Sequence, residues 1–155
     1  MYGMECISLS KKDQRLLSTS QTSIIKHVMG FPKRYHHSTL LQALDIPSFK
    51  ENLDLACRRL YHTLMLSNTP AGTLQTKLLS RYLSSGHLTK NTLLHRLVES
   101  GHDPCYLIAG PGPRVRTPVN SDGVVDSLRY LVFHQNFIKP WSEEYLTAGL
   151  ILKAF

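Results

Sequence analysis

Pro47-Ser48-Phe49-Lys50-Glu51 opens the stretch whose reading decides the fold. Ser48 and Glu51 have the three-residue spacing of a capping box. Phe49, Leu53, Ala56, Cys57, Leu60 and Leu64 then recur as one apolar stripe at helical period. The spacing predicts a helix that ends at Ser67-Asn68-Thr69-Pro70. Asp54 and Arg58 fall one turn apart on the other side, where an exposed pair contributes little.

Helical punctuation continues on both sides of this stretch. Upstream, Ser10 and Asp13 form an S-x-x-D start, and Leu17, Ile24 and Val28 follow on one face of a helix from Lys11 to Met29. Gly30 and Pro32 stop that helix, and a shorter one is expected from Ser38 or Thr39 to Leu44. Downstream, Leu74, Leu78, Leu79, Tyr82 and Leu83 predict a helix ending near Gly86. Leu93, Leu94, Leu97 and Val98 predict another between Thr89 and Gly101. A Pro/Gly-rich connection follows, including Gly110-Pro111-Gly112-Pro113, with a short strand expected at Tyr106–Ala109. Asp122 and Ser142 are then placed to cap two last helices. The expected architecture is mainly α, a small bundle of about six to seven short helices. It divides into a basic helical domain at 1–100, a linker at 101–121 and a C-terminal helical segment at 122–155.

Composition narrows the function classes. The chain has 155 residues, about one domain, and no apolar run long enough to cross a bilayer. Cys6, Cys57 and Cys105 form no C-x₂₋₄-C pair, so neither a zinc finger nor a disulfide framework is expected. Scattered thiols and the lack of a signal-like segment at Met1–Cys6 predict an intracellular protein, with nucleus and cytoplasm left open. The formal charge is +7, and it is uneven. Residues 1–98 hold 13 Lys+Arg against 5 Asp+Glu, whereas residues 99–155 hold 5 against 6. A polyanion partner should therefore bind in the first part.

The helix from Lys11 to Met29 carries the candidate site. At 100° per residue, Lys12, Arg15, Thr19, Thr22, Ser23 and Lys26 gather opposite Leu17, Gln21, Ile24 and Val28. Cations attract phosphates and release counterions, and hydroxyls donate to phosphate oxygens. Lys12, Arg15 and Lys26, with Lys33 and Arg34 just beyond, are the expected nucleic-acid contacts. An ordinary solvated face is the competing reading of the same residues. No catalytic or cofactor set is expected. His95, Glu99 and His102 have ligand-like spacing, but Gly101 interrupts the helix before His102. Gly110-Pro111-Gly112-Pro113 lacks the Gly-Lys-Ser/Thr of a phosphate loop, and no Asp-Asp pair exists for two-metal chemistry.

Tyr2-Gly3-Met4-Glu5, then Leu9-Ser10-Lys11-Lys12-Asp13, Leu16, Gln21, Ile25-Lys26 and Gly30, resembles the segment that follows the palm in non-LTR (LINE-type) retrotransposon reverse transcriptases. That segment reads Y-G-x-E, a polar gap, then an amphipathic helix ending in glycine. Ser38-Thr39-Leu40-Leu41-Gln42-Ala43-Leu44 is similar to the next helix of that region, and the resemblance covers residues 1 to about 66. It implies a thumb-like helical subdomain that grips a template–primer duplex by its phosphates. The fingers, the palm and the catalytic aspartates would lie before Met1, and the chain reads as the truncated 3′ part of such an element. The expectation is thus a non-catalytic reverse-transcriptase fragment with weak, sequence-independent binding of RNA or RNA–DNA duplex and no membrane partner. The alternative is a helical protein-interaction module or an idle transposon remnant, whose exposed apolar surface seeks the missing palm and fingers or another copy of itself.

Overall fold

A computed structural model of the chain describes residues 3–31, 33–34 and 36–116. Among these the protein is mainly helical and contains no strand. Five α-helices follow one another: α1 (Lys11–Val28), α2 (His37–Ala43), α3 (Phe49–Leu66), α4 (Pro70–Ser85) and α5 (Leu93–Glu99). Two 3-10 turns, Met4–Cys6 and Tyr106–Ile108, complete the described elements. The second turn replaces the strand expected at Tyr106–Ala109. The helices expected after Asp122 and Ser142 lie outside the described residues. No described helix is long and apolar enough to cross a membrane.

The described residues form two compact units, one within 3–10 and 50–115, the other within 11–49 together with Arg116. A boundary at residue 100 is therefore not observed. Residues 101–115 belong with α3, α4 and α5, because polar groups on α3 hold them there. Arg58 is the centre of this arrangement. The residue is 2% exposed, and its Nε donates to Asp54 Oδ2 at 3.0 Å. Its Nη1 donates to the carbonyls of Pro111 and Pro113, the latter at 2.9 Å. One turn to either side, Asp54 Oδ1 lies 2.7 Å from His102 Nε2, and His62 Nδ1 donates to the carbonyls of Leu107 and Ile108 at 3.3 and 3.1 Å. Of the pair expected to be weak, Arg58 is buried and Asp54 is half-buried, since the Pro/Gly-rich segment covers them. That segment contributes carbonyls that proline and irregular backbone leave without helical partners.

Gly112 makes the close approach feasible. Its φ is +70°, and a Cβ there would sit 3.3 Å from Arg58 Nη1. Apolar packing fills the remainder of this unit with Leu53, Leu55, Cys57, Tyr61, Leu79, Leu94, Leu97 and Leu107. Leu55 and Tyr61 fall outside the stripe read from the sequence, because α3 is covered on more than one side. On α4 the buried positions are Gly72, Gln75 and Leu79, while Leu74 and Leu83 of the expected stripe are exposed. Thr69 caps this helix by accepting from Gly72 N at 3.2 Å, and Thr92 caps α5 by accepting from His95 N at 3.1 Å. Arg96 ties residues 3–7 into the same unit, its Nη1 donating to Glu5 O at 3.0 Å and to Cys57 Sγ at 3.3 Å. Burial pushes the Cys57 thiol above its ordinary pKa, consistent with a structural role.

In the other unit, α1 ends in a left-handed turn at Gly30, with φ +67°. Phe31 N donates to Lys26 O at 2.8 Å, the six-to-one bond of a Schellman closure. Met29 and Phe31 are thereby buried, together with Leu40, Leu41 and Ala43 at and beside α2. These residues, rather than Ile24 and Val28, form the apolar anchor.

Two substitutions on α3 should separate packing from polar organisation. Arg58→Met leaves Asp54 and two proline carbonyls without their donor and should cost on the order of 3 kcal/mol. Tyr61→Phe should be neutral or stabilising by about 1 kcal/mol, because the phenol is fully buried with no partner for its Oη among the described residues. Urea denaturation of the two variants checks this; equal midpoints would remove Arg58 from its central role.

Candidate nucleic-acid interface

The five expected contact residues all belong to the unit containing α1. Lys12 and Arg15 are exposed on its first turns, and Lys33 and Arg34 are exposed on the turn beyond its C-terminus. Sixteen residues of helix between Lys12 and Val28 separate the two groups by about 24 Å along the axis. Lys26 does not join them. It is 4% exposed, and its Nζ donates to Lys33 O at 2.9 Å. The continuous ridge of Lys12, Arg15 and Lys26 is therefore not formed.

The reason lies in the helical phase. Thr22, Lys26 and Met29 share one face, so seating Met29 in the core turns the other two inward. Polar groups on this side bond to backbone carbonyls. Thr22 Oγ1 donates to Ser18 O at 2.7 Å and Gln21 Nε2 donates to Pro47 O at 3.1 Å. The long stem of Lys26 packs while its ammonium reaches a carbonyl. Ile24 and Val28 of the expected apolar face are 63% and 59% exposed, and Leu16 is exposed as well. Thr19 also offers less than expected, since its Oγ1 donates to Arg15 O at 2.9 Å. Of the hydroxyls assigned to phosphate, Thr19 and Thr22 both direct their protons at the helix backbone.

Burial lowers the pKa of Lys26 from its ordinary value. This residue acts as a brace: its bond to Lys33 O draws the basic turn against the end of α1. His36 and His37 follow at the start of α2, both exposed. Partial burial, then the nearby Lys26 ammonium and then His36 lower the pKa of His37. Unfolded chain therefore takes up this proton first as pH falls, and the unit loses stability through the ordinary histidine range. In the sequence His36 and His37 are an adjacent pair with no motif around them. Their adjacency to Lys33 and Arg34 was visible, but the approach of Lys26 was not.

No acid occurs between Asp13 and Asp45, and Asp45 Oδ1 is engaged by Arg116 Nη1 at 2.5 Å. Chemistry elsewhere does not assemble. His95 Nδ1 lies 3.4 Å from Glu99 Oε2, while His102 turns to Asp54, so the spaced ligand trio is split. Among the described residues no group of three or more His, Cys, Asp or Glu is placed to hold a metal ion. No protein-family model, curated protein or solved structure matches the chain.

Lys26→Met keeps the packing stem and removes the donor to Lys33 O. It should raise amide exchange at residues 30–37 several-fold while leaving exchange in α3 unchanged, as hydrogen-exchange mass spectrometry would show. Unaltered exchange at 30–37 would mean that Lys26 braces nothing.

Proposed function

We propose that the chain is a non-catalytic nucleic-acid-binding module, related to the post-palm, thumb-like part of a non-LTR retrotransposon reverse transcriptase. It holds RNA or RNA–DNA duplex through phosphates with little sequence preference. The observation that carries this is the acid-free run from Gln14 to Leu44, which exposes Arg15, Lys33 and Arg34, with Lys12 also exposed just before it. Phosphate contacts of this kind fix position and supply salt-dependent affinity without reading bases. Two cationic groups at opposite ends of α1 suit separate stretches of a duplex backbone better than a small anion, which would engage one end only. Lys26 enters as a positioning residue for Lys33 and not as a contact.

A second reading, a helical protein-interaction module or idle transposon remnant, is favoured by the outward Leu16, Ile24 and Val28. Apolar groups exposed on one side of a helix are available to a protein partner, a missing palm and fingers or another copy of the chain.

Fluorescence anisotropy of the full chain with a mixed-sequence duplex decides between them. Binding at micromolar strength or weaker is expected, with log K falling linearly in log salt. Lys12→Gln with Arg15→Gln, and separately Lys33→Gln with Arg34→Gln, should each flatten the slope by up to about 1.8, at roughly 0.9 per lost phosphate contact. Lys26→Gln should change the slope much less than either pair. Undiminished binding in the fourfold variant would eliminate the nucleic-acid assignment. Concentration-dependent sedimentation abolished by Ile24→Ser and Val28→Ser would favour the second reading.

A further inference from the structure

His36 and His37 stand directly after the two exposed cations of the turn, at the opening of α2. The charged or titratable neighbours identified at this opening are basic: Lys26 and His36 act on His37, and Lys33 and Arg34 lie just before it in the chain. From α1 comes Lys26, whose ammonium is fixed by its 2.9 Å bond to Lys33 O. From the turn come Lys33, Arg34 and His36. No other charged residue lies on α2, whose sequence is His37-Ser38-Thr39-Leu40-Leu41-Gln42-Ala43. The next acid along the chain, Asp45, is paired with Arg116. An imidazole that gains a proton here finds no carboxylate among these groups to answer its charge. A phosphate supplied by a ligand would be the missing counter-charge.

We infer that His36 and His37 belong to the phosphate-contacting surface with Lys33 and Arg34, and that duplex binding there is coupled to proton uptake. This rests on the nucleic-acid assignment proposed above. In the free protein, partial burial first and the Lys26 ammonium second oppose a positive charge on His37. A phosphate oxygen against the ring reverses that balance, since an opposite charge at close range favours the imidazolium. The complex therefore binds more protons than the free components, and affinity rises as pH falls through the histidine range. No covalent step is involved; each proton comes from solvent and sits on an imidazole nitrogen.

Anisotropy titrations of the full chain with a mixed-sequence RNA–DNA duplex, at fixed ionic strength between pH 7.5 and 5.5, test this. Affinity should increase by up to about tenfold per pH unit for each proton taken up, with a salt slope steeper at the acid end by about 0.9 for each histidine that becomes a phosphate contact. His37→Asn should remove most of the increase and His36→Asn a smaller share, while His87→Asn, on an exposed residue of the other unit, should leave it intact. Calorimetry of the unmodified chain in two buffers of different ionisation enthalpy measures the proton uptake directly, whatever the variants do to folding. Affinity independent of pH, or an increase surviving in the doubly substituted His36→Asn and His37→Asn chain, overturns the inference and leaves the nucleic-acid assignment standing. Absence of binding at every pH overturns both.

Discussion

Arg58 replaces what an apolar residue does in a simpler helical unit. Its guanidinium is inside, held by Asp54 from one turn back and by two proline carbonyls from a segment more than fifty residues on. Burying such a charge is costly unless every donor direction finds an acceptor. The guanidinium meets that condition at Nε and Nη1, while Nη2 is buried without an acceptor among the described residues. Asp54, Arg58 and His62 thus make a polar seam along α3 that fastens residues 102–113. The rest of that unit depends on it, since a Pro/Gly-rich segment has few hydrogen bonds of its own with which to stay folded.

Lys26 shows the same economy in the other unit. A buried lysine pays in desolvation, and its lowered pKa is the sign of that cost. What it returns is a defined position for Lys33 and its neighbours. Charged residues in this protein therefore divide by role. Arg58, Arg96 and Lys26 hold backbone carbonyls, and Lys12, Arg15, Lys33 and Arg34 face outward. The net positive charge counts both kinds alike, although only the exposed set can meet a polyanion. Three of the thirteen cations in residues 1–98 are thus structural anchors, which makes the functional excess smaller than the bare sum suggests.

Helix positions were legible in the sequence because their signals are local. Ser10, Thr69 and Thr92 precede starts, Gly30, Gly86 and Gly101 take left-handed conformations at or after ends, and the apolar spacing between them has helical period. Which face turned inward was less legible. Ile24 and Val28 looked like core on hydrophobicity alone, yet the closure at Gly30 seats Met29 and Phe31, and the helical phase follows them. Leu74 and Leu83 were misplaced for a similar reason, as Gly72 lets α4 approach the backbone of Leu64 and Ser67 at the end of α3 and leaves Gln75 and Leu79 inside.

The candidate site divides along the same line. Composition and order along the chain already placed a run of cations without acids between Asp13 and Asp45, together with adjacent histidines at 36 and 37. They also placed five helices, since capping and periodicity act over a few residues. Tertiary packing alone decided that Lys26 braces instead of binds, that Arg58 is buried beside a half-buried Asp54, and that residues 101–115 belong to a folded unit. Those outcomes depend on groups far apart in the chain meeting at hydrogen-bond distance, and such a meeting leaves no periodic trace in either partner's own neighbourhood.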